Sequence, residues 1–251
     1  MKTLKLKYYL YGCLGFFLLN CHSEEGFDCF KKQGKEISRT IELAGFTKIH
    51  IGPGIALTVK ESDEQKVSLR AGENLINDIR FEVVDGELFI SDENGCGFLR
   101  NTSVAHVHVS VPQLVKIYSA SQFFIRSEGV LHFPYLELES GIVTEDSPAS
   151  VFDLHIENES LTVNDNIASV FKIRGRTGLL KVQFWGSNGR FEGGHFQADE
   201  VSVFHRSTND MIVYPVDKVS GTLYSTGNLV LRNVPSVVDV EELYSGQVVY
   251  P

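Results

Sequence analysis

From residue 47 almost to the end of this chain, apolar side chains return at every second position in short runs. Thr47-Lys48-Ile49-His50-Ile51, Ile55-Ala56-Leu57-Thr58-Val59 and Phe152-Asp153-Leu154-His155-Ile156 all alternate in this way. Side chains two apart on a strand point the same way, so each run is a strand with one apolar face. Only Leu75-Ile76-Asn77-Asp78-Ile79 reads as a short helical turn. A period of two elsewhere, rather than 3.6, predicts an all-β chain.

Turn residues say how the strands connect. Asp85-Gly86 between Phe81-Glu82-Val83 and Leu88-Phe89-Ile90 predicts a tight hairpin. In the second half the punctuation changes. Ser140-Gly141, Asn164-Asp165-Asn166, Ser187-Asn188-Gly189, Ser207-Thr208-Asn209-Asp210 and Ser225-Thr226-Gly227-Asn228 separate short strands. These clusters recur at roughly 18 to 24 residues, the length of one β-helix coil. A β-sandwich gives similar strand lengths but predicts hairpins throughout. The expectation is an all-β, right-handed parallel β-helix-like solenoid, with a hairpin-rich N-terminal part over 46–111. The Val- and Tyr-containing tail from Pro235 to Pro251 is expected to cap its open end.

The first residues place the chain in the cell. Lys2, Lys5 and Lys7 precede an apolar run from Tyr8 to Leu19. That run suits a secretory signal and is short for a membrane span. Leu18-Leu19-Asn20-Cys21 resembles a bacterial lipobox, which implies lipidation at Cys21; Asn20 departs from the usual small residue there. Leu10-Tyr11-Gly12-Cys13 is the rival box, but too few apolar residues precede it; ordinary secretion and a short N-terminal anchor that is never cleaved are the other readings. Glu24 and Glu25, soon after Cys21, resemble the export signal of Bacteroidetes surface lipoproteins. The implied location is the cell envelope, at the outer membrane, with the lipid holding one end of the chain to the membrane.

Removing residues 1–20 takes away three lysines and shifts the net charge from -9 to about -12. So acidic a chain is a poor partner for nucleic acid or for anionic lipid surfaces. With Cys21 lipidated and Cys13 removed, Cys29 and Cys96 remain as an even pair in an oxidising compartment. A disulfide between them would tether the mature N-terminus to the body; two free thiols are the alternative. No Cys-x-x-Cys or His-x-x-x-His spacing points to a metal, and no cofactor is expected.

Several segments together resemble a known family. They include Asp28-Cys29-Phe30-Lys31-Lys32-Gln33-Gly34-Lys35, Phe46 to Ile51, Gly54 to Val59, Glu73 to Ile79, Asp85 to Ile90, Asn94 to Arg100, Val109 to Leu114 and Gly221 to Leu229. In order and spacing they are similar to the putative auto-transporter adhesin, head GIN domain family. Gly54-Ile55-Ala56 stands where the family name suggests Gly-Ile-Asn, and Ser119-Ala120-Ser121 where the family often has Gly-Ser-Gly. The resemblance implies a β-helix-like fold in exported bacterial proteins and carries no catalytic residues. It divides the chain into a signal peptide at 1–20, a tether at 21–38 and a single head GIN-like solenoid domain at 39–251.

β-Helices also include polysaccharide-cleaving enzymes, which need converging carboxylates. Asp146, Asp153, Glu157, Glu159 and Asp165 are dense, and Glu137 and Glu139 share a strand face, but outward acids on a solenoid chiefly solvate it. Asn164-Asp165-Asn166 and Ser207 to Asp210 offer oxygens to calcium, and turn capping accounts for them as well. His106 and His108 share a face and lack a third ligand nearby; His195 and His205 read as surface or partly packed. Phe184-Trp185, Phe191, Phe196 and Phe204 could form a stacking platform; Phe rings stacked inside the solenoid are the alternative. Phe184 and Trp185 are adjacent, so one of them must face outward, and Trp185 is the candidate ligand contact. The expected function is a non-catalytic, lipid-anchored binding or adhesion-like module for a glycan or protein ligand. A carbohydrate-active enzyme and a structural envelope protein are the alternatives.

Overall fold

In the computed structural model, which describes residues 33–93, 105–142, 149–186 and 188–251, alternation has become a stack of parallel coils. Four long strands form its centre: β11 (Val151–Asp165), β12 (Val170–Phe184), β13 (Arg190–His205) and β14 (Met211–Leu223). Each lies parallel to the next, with Val151 beside Val170 and Val170 beside Arg190. One coil therefore takes 19 or 20 residues at this point.

Inward residues line up from coil to coil. Ile125, Phe152, Phe171, Phe191, Met211 and Leu229 form one column on the first halves of these strands. Ile117, Leu138, Val163, Val182 and Val203 form another on the second halves. All are buried. The Phe152 and Phe171 rings stack at 4.6 Å and 13°. Burying a side chain of this size contributes about 1.5–3 kcal/mol, so these columns are the main source of stability.

Between the two halves each long strand bends, and the chain passes from one face of the solenoid to the other. Gly175, at φ +113°, sits at the bend of β12, and a Cβ there would collide with the Ile156 carbonyl. Only glycine meets both demands without strain.

The shorter strands extend the two faces. On one, β2 (Lys48–Ile51) lies between β6 (Glu87–Asp92) and β8 (Lys116–Ser119), and β8 passes to β10 (Tyr135–Ser140) and then β11. On the other, β3 (Ile55–Glu61) lies between β7 (Ala105–Val111) and β9 (Phe124–Ser127). Parallel neighbours throughout this body exclude the sandwich.

Antiparallel strands close the N-terminal end. β5 (Ile79–Val84) forms a hairpin with β6, and the turn residues Asp85 and Gly86 both have positive φ, 49° and 75°. That is the geometry an Asp-Gly turn favours. β4 (Lys66–Gly72) runs against β7, and β1 (Glu36–Ile41) runs against β4. The expected helical turn is a single 3-10 turn at Ile76–Asp78. β1 begins inside the segment read as a tether, because it is an exposed edge strand with no alternating burial to betray it.

The tail does not fold across the open end. Val237–Glu242 (β16) and Val248–Val249 (β17) add one more coil, pairing with β14 and with β15 (Leu229–Leu231). Its inward residues Val238, Val240 and Val248 are only half-buried. Along the first face, ten strands from β5 to β16 span about 43 Å at the usual interstrand spacing.

Candidate functional site

Trp185 leaves the end of β12, its backbone N–H held by the Asp165 carbonyl at 2.9 Å. Phe184 points into the core and Trp185 points out, 44% exposed. The parity of the strand requires that one of the two do so. The next coil places Phe204 against the indole at 4.7 Å, and the coil after that places Tyr224 against Phe204 at 4.8 Å. These spacings match the rise between parallel strands. In register Phe204 lies beside Gln183 and Thr222, so Trp185 and Tyr224 reach it diagonally from two positions further along their own coils.

Beside this strip lies an open hollow of about 430 Å³ lined by Ile142, Asn164, Asn166, Gln183 and Trp185. It joins an indole face to the Asn166 and Gln183 amides, which can donate and accept hydrogen bonds, and to the Asn164 amide, whose N–H is already given to Glu137. An apolar face bordered by such groups matches a sugar ring, with its C–H face and hydroxyl rim, or a polar peptide. Of the other aromatics weighed for a platform, Phe184, Phe191 and Phe196 are fully buried in the core, as the interior alternative has it, while Tyr224 joins the strip from outside that set.

The acidic candidates are mostly engaged. Lys116 Nζ stands 2.5 Å from Glu139 and 3.8 Å from Glu137, and the Asn164 amide donates to Glu137 at 2.8 Å. Burial lifts the Glu137 pKa, with the adjacent Glu139 adding to it and Lys116 opposing. Burial works against the Lys116 ammonium, but Glu139 and Glu137 together outweigh it and its pKa rises. Asp153 pairs with Arg174 at 3.1 Å. Glu157 lies 3.9 Å from the His155 ring. Asp146 lies outside the described residues.

The histidines separate. His108 meets Glu128 at 2.8 Å, while His106 packs near Phe124. Among the described residues no group of three or more His, Cys, Asp or Glu is placed to hold a metal. The turn from Ser207 to Asp210, weighed both for calcium and for turn capping, ties neighbouring coils together. Asn209 donates to the Asn188 carbonyl at 2.7 Å, and Asp210 accepts from the Asn228 backbone at 3.0 Å. Cys21, Cys29 and Cys96 lie outside the described residues.

A buried polar corner was not foreseen. Ser119, Ser121, Ser140, Ser150 and Ser169 are all buried where the coils turn. Ser150 Oγ is 2.7 Å from both Ser119 Oγ and the Ser121 carbonyl. Its single proton goes to the carbonyl, and the Ser119 hydroxyl donates to it. Ser169 Oγ reaches Ser140 Oγ at 2.8 Å, and Ser121 Oγ donates to the Ile55 carbonyl at 2.6 Å. The Ser119-Ala120-Ser121 corner is therefore structural. Asp165 and His205 are also fully buried, so His205 is a core residue rather than a surface one.

Fold and surface together define a β-solenoid of the β-helix class that carries an aromatic strip on one face. The family described as putative auto-transporter adhesin, head GIN domain, matches residues 45–235, and the chain belongs to it. Solved structures share the fold. A putative adhesin from Bacteroides fragilis is similar at a TM-score of 0.74 and 16% identity, over 86% of this chain and 97% of that one. A putative adhesin from Parabacteroides distasonis is similar at 0.64 and 15%, over 87% and 98%. A putative lipid binding protein from the same species is similar at 0.60 and 15%, over 87% and 97%. Among curated proteins none matches.

Proposed function

We propose that this chain is a lipid-anchored module of the bacterial cell envelope that binds a glycan or protein ligand without chemical turnover. The strip of Trp185, Phe204 and Tyr224 carries the reading, with the amide-lined hollow beside it. It lies toward the C-terminal end of the rod, away from the antiparallel strands that close the other end. A lipid on Cys21 would hold the N-terminal end at the outer membrane and present the strip outward. A Cys29–Cys96 disulfide would brace that tether. Support comes from the leader, the family and the ion pairing of the acidic residues.

Trp185 is the chain's single tryptophan, so its fluorescence reports on this site alone. Titration with a panel of neutral oligosaccharides and peptides is expected to shift or quench its emission saturably. Tyr224→Ala is expected to weaken binding at least about tenfold, the loss of roughly 1.4 kcal/mol of stacking. A panel in which no member perturbs Trp185, or a Tyr224→Ala variant that binds as tightly as the parent, would overturn the reading. Intact mass and membrane partition from a Bacteroidetes host test the anchor, and non-reducing mass tests the disulfide.

A further inference from the structure

The opposite half of the long strands carries a second concavity. β13 is longer than its neighbours here. Lys172 pairs with Glu192 but Arg174 pairs with His195, which leaves one extra residue on β13. Against β14 the slip is larger, because Glu192 pairs with Ile212 and Gln197 with Tyr214. The excess against β12 falls at Gly193-Gly194 and that against β14 runs on through Phe196; a Cβ on Gly193 would collide with the Phe191 ring. Such a bulge bends its strand away from the sheet. The result is a groove of about 620 Å³ on the outer face, whose lining includes Lys172, Arg174, Arg190, His195 and Arg232.

The charge of this groove opposes that of the whole protein. Its four Lys and Arg residues face only two carboxylates, Asp153 and Glu192, in a chain of net charge -9. Both carboxylates are already paired, Asp153 with Arg174 at 3.1 Å and Glu192 with Arg190 at 2.9 Å. Among the described residues no carboxylate stands within ion-pair distance of Lys172 or Arg232. Lys172 enters from β12, and Arg232 follows β15 three coils further on. The Arg232 side chain lies over Gly194, with its Nε 3.5 Å from where a Cβ would be. Two unpaired cations therefore face one hollow across the bulge.

We infer that this groove binds a saccharide bearing an oxyanion, a carboxylate or a sulfate, between Lys172 and Arg232. Guanidinium and ammonium groups donate charge-assisted hydrogen bonds to such oxygens. The acidic remainder of the surface repels an extended anionic layer, whereas a single oxyanion inside the groove meets the cations that line it, and salt screens partly enclosed charges less than exposed ones. The site is separate from the aromatic strip and stands without it.

The test is calorimetric titration of the full chain with a sulfated disaccharide, its unsulfated counterpart, inorganic sulfate, and vesicles of anionic phospholipid. The sulfated sugar is expected to bind at least tenfold more tightly than the unsulfated one and than inorganic sulfate, and to weaken as salt is raised. Lys172→Ala with Arg232→Ala should lose at least tenfold in affinity at an unchanged Tm. Gly194→Glu, which places a carboxylate in the groove, should lose as much. Trp185 fluorescence responses to neutral ligands should stay as they were in both variants. Equal binding of sulfated and unsulfated sugars, undiminished binding by the variants, or binding of the vesicles in place of the sugar would each overturn the inference.

Discussion

Asp165 and His205 stand in one inward-facing column two coils apart, with Phe184 between them. Among the described residues, neither the carboxylate oxygens of Asp165 nor the ring nitrogens of His205 make a hydrogen bond of full geometry, although polar groups stand close to both. The Phe184 ring meets the imidazole at 6.1 Å. Burial pushes the Asp165 carboxyl up to about 7, against the pull of the nearby Ser169 hydroxyl and the Ile167 and Ser169 amides. Burial pushes His205 down, opposed by the backbone of Asn228 and Asn209. Both groups are thus held toward their neutral forms, with opposite consequences for pH.

A raised carboxyl pKa means that the folded chain keeps a proton which the unfolded chain releases. The contribution of Asp165 is most favourable below the usual value near 3.8 and is lost as pH rises through about 7. The change is at most about 4 kcal/mol across that window. Asp165→Asn should remove this slope and melt higher than the parent at pH 8. Melts from pH 4 to 8 in which the two differ by a constant amount would show that Asp165 does not carry it.

His205 works the other way. Its folded pKa is lowered, so the unfolded chain takes up the proton first as pH falls below 6.5. His205→Phe keeps the column aromatic and removes the acid-side loss. Its Tm relative to the parent should rise between pH 7 and pH 5, read by circular dichroism.

Gly221 is held at φ +139°, and a Cβ there would overlap the Val203 carbonyl. Gly221→Ala forces both backbone strain and a clash inside the stack. A loss of about 2–4 kcal/mol is expected, read as a lower urea midpoint. A midpoint within error of the parent would mean that the coil relaxes at little cost.

Among the described residues β16 pairs only with β14, and this edge strand carries Asp239, Glu241 and Glu242. Charge on an edge strand deters a second chain from adding to it. Asp239→Asn with Glu241→Gln and Glu242→Gln should sediment as larger species than the parent at equal concentration. Identical sedimentation would assign the protection to another feature of the edge.

What could be read in the sequence was what is local. The Asp85-Gly86 hairpin and the outward turn of Trp185 follow from neighbouring residues alone. The long strands were read as pairs of short ones, because the inward phase slips at the bend: Ile156 and Leu161 both face in, an odd number of positions apart. β1 gave no signal because both of its faces are exposed. The serine corner and the cationic groove were hidden for another reason. Ser150 and Ser119, or Lys172 and Arg232, are brought near each other only by the winding of the coils, and their burial or charge depends on partners one or more coils away.

Each coil touches chiefly the one before and the one after, and the chain enters near one end of the rod and leaves at the other. A molecule fixed at its first coil and loaded at its last would meet the force along the direction of its interstrand hydrogen bonds. Those bonds would open one row at a time, beginning with the half-buried coil of β16 and β17. Each row released would pay out about 65 Å of slack for its 19 residues, at roughly 3.4 Å apiece. Such a rod yields by uncoiling in steps, so a load can be absorbed at the far end while the coils nearer the fixed end stay wound.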